Sequence, residues 1–505
     1  MAIDKLHSKE RWNKHMENKY ILAMYDIRAK QDFIFKTNRM KEIVGGSAII
    51  RDCFDDYFYK VASKIGKGIR NDKSVPFKSE DFSKHLADGY IGELVYDGGG
   101  NLIVLFKDVA TYRDVTYRFT KKVLEDIGTL RVLSSYIEGV DFDDYKSDSE
   151  RLYKVHSINE NKESNIAPWG TLPIVQVDRN TSLPLVTKNN GEKVSKESHM
   201  KLIKYAEETE KDSEDGGVKE LDSLVTKKGE ESILAIVYID GNNMGAQVQS
   251  CIKNVKSYDD CVKNLREFSY DIQQNYIEDR KKDIRKYLAD KKKPNEWRLI
   301  VGAGDEINFI CNARDAFALT EAYLKSLPKD CSSCAGIAIF HSHAPYSDVY
   351  RIAEECCESG KTLMKQRGIT SGCFVDYHYC QGAIDVSLEK IRENEANQSI
   401  SRPWFVPTEN SNKVDGDITT LDDVNTMLGF LRELGRTNVK GLLAPAKSDL
   451  AALKLDLNRI YSHMSDSKKQ KIKKTGINIG ALNEKQQNLI YDIIITYDLW
   501  FRGEE

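Results

Sequence analysis

The sequence predicts an α+β fold: two ferredoxin-like βαββαβ units with helical insertions, followed by a C-terminal helical bundle. Three observations predict it. A strand, a helical stretch and a glycine-turned hairpin occur in that order twice along the 505 residues. Each hairpin is two apolar runs flanking a short glycine turn, the local signal for antiparallel pairing. After SRPWFVP (401–407) the period changes from strand-like runs to amphipathic helical segments.

In the first unit, ILAMYDI (21–27) reads as a strand and residues 41–65 as helical. GELVYDGGGNLIVLF (92–106) is the hairpin, and residues 109–127 form the next helix. The second unit opens on ILAIVYID (233–240), rich in β-branched residues. A long helical region covers 257–288, RLIVGAGDEINFI (298–310) is the hairpin, and a helix covers 314–327. The unit closes with strand AGIAIF (335–340) and a helix over 347–364. Residues 187–230 between the units are polar and charged, part helical and part mobile. The tail carries amphipathic segments around 420–435, 446–465 and 484–501. The expected division is a first, degenerate unit at 1–135, a connector at 136–230, a second unit at 231–400 and a helical domain at 401–505.

The net charge of −3 excludes a chain that coats nucleic acid through bulk charge. Two dense basic segments, 280–293 and 468–474, read as solvated helix faces. No apolar run is long enough to span a membrane, and the charged N-terminus has no secretory h-region. With no export signal, ten cysteines imply reduced thiols and a cytoplasmic protein. The single CxxC, Cys331 to Cys334, has no second pair to complete a zinc shell and reads as structural.

The second hairpin carries adjacent acids, Asp305 and Glu306, with Gly302 and Gly304 expected to make the turn. A solvent-facing hairpin accounts for such a sequence, because Gly tolerates positive φ and Asp caps its own backbone. The topology adds a second reading. In a βαββαβ sheet the strand order is 4-1-3-2, so the end of strand 1 lies beside the start of strand 3. Asp240 ends strand 1, and Asp240, Asp305 and Glu306 are therefore expected to converge within a few ångströms. Three like charges require a cation. Hard oxygen donors suit Mg²⁺ or Mn²⁺, and two such ions activate a ribose hydroxyl and stabilise a leaving pyrophosphate. The GNNMG that follows Asp240 lets backbone amides approach phosphates. In the first unit, aligning the hairpins puts Gly100 opposite Asp305 and Asn101 opposite Glu306. Aligning the strands puts Arg28 opposite Asp240. That unit is expected to lack the carboxylates and to bind no metal. Its Gly98, Gly99 and Gly100 either admit a nucleotide or only close a tight turn.

These residues resemble the large polymerase/cyclase subunit of type III CRISPR effector complexes. IRAKQDFIFKTNRMKEIVGGSAII (27–50), VYDGGGN, YIDGNNMG, IAIFHSHAPYSDVYRIAEE, CFVDYHY (373–379) and RPW (402–404) match that family in order. The resemblance implies two palm domains, the first degenerate, and a nucleotidyltransferase that joins ATP or another NTP into a cyclic oligonucleotide or cyclic dinucleotide for antiviral defence. It implies two Mg²⁺ or Mn²⁺ ions on Asp240, Asp305 and Glu306. Gly241, Asn243, Gly304 and Lys361 would serve the triphosphate, and Ser47 the first-palm nucleotide. His341 and His343 are not required as bases. Implied partners are CRISPR RNA complex subunits and target RNA, or a downstream cyclic-nucleotide effector; oligomers are allowed. The chain also departs from the family. No His-Asp dipeptide occurs, and only about 20 residues precede the first palm, so no HD nuclease activity is expected. The hairpin reads Ala303-Gly304-Asp305-Glu306 rather than Gly-Gly-Asp-Asp. Asn242 replaces an acid, and the cysteine pairs expected before the second palm are missing around 179–186. These departures favour a second reading, a catalytically weak or inactive scaffold subunit.

Overall fold

The computed structural model describes residues 20–72, 75–162, 174–215, 224, 232–292, 296–382, 386–395, 400–408 and 414–500. The N-terminal stretch 1–19 and most of the charged stretch 216–231 lie outside the described residues. The chain forms two compact units. One comprises 1–214, 243–274 and 303–305, and the other 215–242, 275–302 and 306–505.

The first unit holds a five-stranded sheet of β1 (Tyr20–Arg28), β2 (Ile69–Arg70), β3 (Gly92–Gly98), β4 (Asn101–Phe106) and β5 (Arg131–Val140), ordered β2-β3-β4-β1-β5. The β5-β1-β4-β3 core is the expected 4-1-3-2 arrangement, and β1 is antiparallel to both neighbours. The fourth strand, β5, is an element the pattern reading did not name. Its buried positions alternate poorly with exposed ones, so it lacks a strong period-2 signal. Helices α1 (Met40–Cys53), α2 (Val109–Asp126) and α3 (Tyr145–Lys162) belong to this unit. Part of the charged connector is ordered. Residues 185–195 form a small hairpin, β6 (Leu185–Asn189) with β7 (Glu192–Ser195), which leads into α4 (Lys196–Asp215).

Two further helices, α5 (Met244–Lys253) and α6 (Tyr258–Ile272), also join this unit. Their Ile252, Tyr258, Val262 and Leu265 share one apolar cluster with Leu22, Val95, Ile103 and Leu152. The buried Arg266 guanidinium fastens α6 to edge strand β3. It bonds Glu93 at 3.3 Å, donates to the Leu94 carbonyl, and donates to the Val75 carbonyl at 3.2 Å.

The second unit holds β8 (Ile233–Gly241), β9 (Trp297–Ala303), β10 (Glu306–Asn312), β11 (Ser333–His341), β12 (Cys373–Tyr379) and β13 (Trp404–Val406), ordered β13-β12-β11-β8-β10-β9. Strands β11-β8-β10-β9 repeat the 4-1-3-2 order. The sheet then extends through β12, parallel to β11, and β13, antiparallel to β12. Helices α7 (Asp279–Asp290), α8 (Ala313–Ser326) and α9 (Tyr346–Arg367) complete the layer. Strands buried on both faces read as continuous apolar runs, which is why ILAIVYI carries no polar alternation.

The helical tail belongs to this same unit. It includes α10 (Leu421–Leu434), α11 (Leu450–Ser462), α12 (Asp466–Lys474) and α13 (Glu484–Trp500). A capping box between Thr420 and Asp423 starts α10. Trp500 stacks on Phe317 of α8 with centroids 4.1 Å apart, and buried Arg402 meets Asp492 of α13 at 3.2 Å.

Gly336 on β11 lets α9 lie directly on the sheet. A Cβ there would stand 1.9 Å from the Ala353 carbonyl oxygen and 2.5 Å from the Cys357 nitrogen. Both are backbone atoms and cannot swing aside. Gly336→Ala is expected to destabilise the second unit by about 1–3 kcal/mol through overpacking. An unchanged melting temperature would contradict this seating of α9.

Candidate active site

Strand β8 places Asp240 at its C-terminal end, and β10 starts at Glu306. Ile307 pairs with Ile239, so the next step of the antiparallel ladder sets Glu306 beside Asp240. Asn308 lies two residues on and on the same face as Glu306. Its side-chain amide donates to Glu306 Oε1 at 2.6 Å, and Tyr350 of α9 donates its hydroxyl to the same oxygen at 3.1 Å. Burial, then the Asp240 charge, push the Glu306 carboxyl up to about 7, against those two hydrogen bonds, and Glu354 adds to the rise. Lys361 of α9 forms an ion pair with Asp240, and both side chains are one-quarter exposed. This contact holds the Lys361 ammonium above its ordinary pKa, although burial opposes it.

Asp305 lies in the two-residue turn between β9 and β10. Gly304 takes φ +64° there, the left-handed value that favours glycine. Gly302 does not make the turn. It lies in β9, where a Cβ would stand 3.3 Å from Ile277 and Leu299 side-chain atoms. The expected convergence of three carboxylates also needs correction. Among the described residues no group of three His, Cys, Asp or Glu side chains is close enough to hold an ion together. The ladder brings two acids into one neighbourhood, Asp240 and Glu306. Asp305 is a turn residue outside that ladder.

The residues after Asp240 have distinct tasks. Gly241 pairs with Ser333 at the strand end, and Asn243 takes φ +59° just before α5. Asn242 is buried. Its side-chain amide donates to the Gly372 carbonyl at 3.0 Å and to Ser332 Oγ at 3.3 Å, and its backbone N–H donates to the Ser332 carbonyl at 2.9 Å. An ionised aspartate has no proton to give the Gly372 carbonyl. The acid-to-amide departure therefore serves a tether between two loops.

The first unit provides an internal comparison, with one correction. Asp26 pairs with Asn101, as Asp240 sits beside Glu306. Asp26, not Arg28, is thus the counterpart of Asp240. A two-residue slip keeps every side chain on the same face, so the apolar pattern of β1 did not resolve it. The degenerate unit keeps one carboxylate and sets two cations and a histidine around it. Arg28 bonds Asp26 at 2.9 Å, and Lys30 and His156 stand 3.8 Å from it. Burial works against ionisation, but His156, Arg28 and Lys30 outweigh it and hold the Asp26 carboxyl below its usual range.

The glycine turn of that unit is closed by backbone need. Gly99 and Gly100 take φ +60° and +76°, both positive as a type I′ hairpin requires, and Lys30 donates to the Gly99 carbonyl. Gly98 remains in β3, with room for a Cβ blocked by the Tyr96 hydroxyl at 2.7 Å. Ser47 is buried within α1. A Cβ on the neighbouring Gly45 would stand 1.8 Å from the Lys201 carbonyl oxygen, so this glycine pair seats α4. His341 pairs with Ile233, at the opposite end of β8 from Asp240, which leaves His341 and His343 remote from the acids. Cys334 is buried with its sulfur 3.7 Å from that of Met364, in keeping with a structural thiol.

The donor chemistry fits a hard divalent cation. Asp240 and Glu306 supply carboxylate oxygens; burial first, and the neighbouring Asp240 charge second, raise the Glu306 carboxyl. Mg²⁺ commonly takes only one or two carboxylates and completes its shell with water and phosphate.

No family model matches the chain, and no curated protein matches it. Among solved structures, a chain of the Csm1–Csm4 cassette in complex with cA4 aligns at TM-score 0.50 and 12% identity, covering 97% of this chain and 71% of that one. The cassette in complex with pppApApA aligns at 0.52 and 13%, covering 96% and 70%. The cassette in complex with pppApA aligns at 0.52 and 11%, covering 97% and 71%. The chain has the Csm1 fold. Its two ferredoxin-like sheets and helical tail are the palm architecture of those chains. No described helix is long and apolar enough to cross a membrane.

Glu306 gives a stability prediction for the metal-free protein. Its folded pKa of about 7 lies above the ordinary glutamate value, so the folded state binds the extra proton and stability falls as pH rises towards 7. Glu306→Gln keeps an acceptor for Asn308 and Tyr350 and removes the charge. In EDTA its melting temperature is expected to exceed wild type at pH 8 and to approach it at pH 5. Equal differences at both pH values would contradict the assignment.

Proposed function

We propose that the second palm is a metal-dependent nucleotidyltransferase site that joins ATP or another NTP into a cyclic oligonucleotide or dinucleotide, within a type III CRISPR effector. The observation that carries this reading is the contrast between equivalent strand ends. Asp240 and Glu306 are adjacent acids met by one lysine, whereas Asp26 is answered by Arg28, Lys30 and His156. The second-unit end carries the less offset negative charge; at the first-unit end Arg28 is shared between Asp26 and Glu160, and Lys30 stands beside Asp26. The Csm1 fold adds support, because the matched chains were crystallised with adenine oligonucleotides.

On this reading Asp240 and Glu306 would hold Mg²⁺ or Mn²⁺, and Asp305, apart from them in the turn, would join when the ions bind. When bound, such ions lower the pKa of a ribose hydroxyl and offset charge on the leaving pyrophosphate. The protein's own task is positioning. Lys361 releases Asp240 and turns to a phosphate oxygen, a move that its long stem permits. Gly241, Asn243 and Gly304 offer backbone close to the triphosphate. Gly98, Gly99, Gly100 and Ser47 are the proposed contacts of the first palm with nucleotide. Cytoplasmic assembly with a Csm4-like subunit and guide RNA follows from the same proposal.

A second reading is a scaffold subunit with little or no turnover. The Lys361–Asp240 ion pair and the structural use of Asn242 favour it. Incubation with labelled NTPs and Mn²⁺ or Mg²⁺, with and without a target-bound RNA complex, separates the two. Cyclisation is expected, with Asp240→Ala and Asp305→Ala reducing it by roughly 10²–10³-fold or more. Absence of product under every condition, with assembly intact, would leave only the scaffold.

A further inference from the structure

The basic segment at 468–474 forms part of a surface that the palm chemistry does not use. Between residues 447 and 474 eight Lys and Arg side chains accompany three acids, in a chain whose net charge is −3. Such local asymmetry is the electrostatic footprint of a polyanion site. Charge alone also describes a solvated helix face. The structure adds a cavity of about 590 Å³ between the end of α10, the C-terminal half of α11 and the start of α12. Its walls include Leu434, Ile460 and Met464, and its cationic groups are Arg459, His463 and Lys468.

No acidic side chain lines this cavity. The nearby acids stand outside the lining, although two of them meet cations of this surface. Asp456 pairs with Arg459 at 3.1 Å, and Glu433 lies 3.8 Å from Lys471. Asp466 begins α12 outside the lining. The Asn438 side-chain amide donates to the Leu434 carbonyl at 2.8 Å, which leaves its oxygen as an acceptor at the rim.

We propose that this cavity binds a nucleic-acid strand, with one nucleotide seated inside and neighbouring phosphates along α12. The volume suits a nucleoside-sized group. Apolar side chains and the polarisable Met464 sulfur suit the flat face of a base. Arg459 and Lys468 supply phosphate contacts at the mouth, and Lys469, Lys471, Lys473 and Lys474 continue the positive surface along α12. That extension favours a phosphodiester strand over a free nucleotide, which would use only the mouth. The site is independent of the proposed cyclase chemistry, so failure of either leaves the other standing.

Fluorescence anisotropy with a short labelled oligoribonucleotide tests it on the full chain. Arg459→Gln/Lys468→Gln exchanges two exposed cations for neutral side chains and is expected to retain the wild-type melting temperature. The expected result is binding about tenfold weaker or more, from two lost charge-assisted contacts. The slope of log K against log salt should fall by about 1.4. Lys281→Gln/Lys282→Gln, in the other basic segment, should retain wild-type affinity. ATP and tripolyphosphate should compete only weakly. The proposal is overturned if the cavity variant binds like wild type, if both double variants lose affinity equally, or if ATP occupies the cavity and the strand does not bind.

Discussion

The pairing of β8 with β10 is the constraint on which the candidate site depends. Antiparallel strands that run the length of one sheet bring a chain end and a chain start together, and the ladder allows no intermediate register. Ile239 opposite Ile307 therefore determines that Asp240 and Glu306 share a strand end. The acids are costly there without a cation, and their environment records the cost. Glu306 is pushed towards neutrality, and a lysine from α9 is drawn onto Asp240. Gly336 and Gly360 let α9 approach the sheet closely enough for Tyr350 and Lys361 to reach the two carboxylates.

The two sheets show how one topology supports opposite electrostatics. Both follow the 4-1-3-2 order, and both place an aspartate near the end of strand 1. In the first, Arg28 and Lys30 follow Asp26 two and four residues on, and α3 supplies His156. In the second, the hairpin partner is Glu306 rather than Asn101. A few side chains, not a change of fold, separate the two electrostatic settings.

Much of this architecture was legible in the chain. The two hairpins, the strand ending in Asp240 and the amphipathic tail each carry a strong local pattern, and each forms as read. Register was less legible. A strand buried on both faces has no polar alternation, so β1 fits equally well when displaced by two residues, and local pattern alone aligns Arg28 where the register places Asp26. Two glycines flank Ala303 and local pattern assigns both to the turn, yet of the two only Gly304 takes positive φ. The seating of α4 on Gly45 was beyond local pattern, since it depends on a partner about 150 residues away in sequence. The joining of α5 and α6 to the first sheet depends on tertiary contact in the same way.

The central claim is that Asp240 and Glu306 form a cation site. Mn²⁺ titration of the full chain followed by electron paramagnetic resonance, with a non-hydrolysable ATP analogue present, tests it most directly. The account predicts bound Mn²⁺ in the wild type, loss of most of that signal in Asp240→Ala, and an unchanged signal in Asp26→Ala. Absence of bound Mn²⁺ in the wild type, or equal binding by Asp240→Ala, would contradict it.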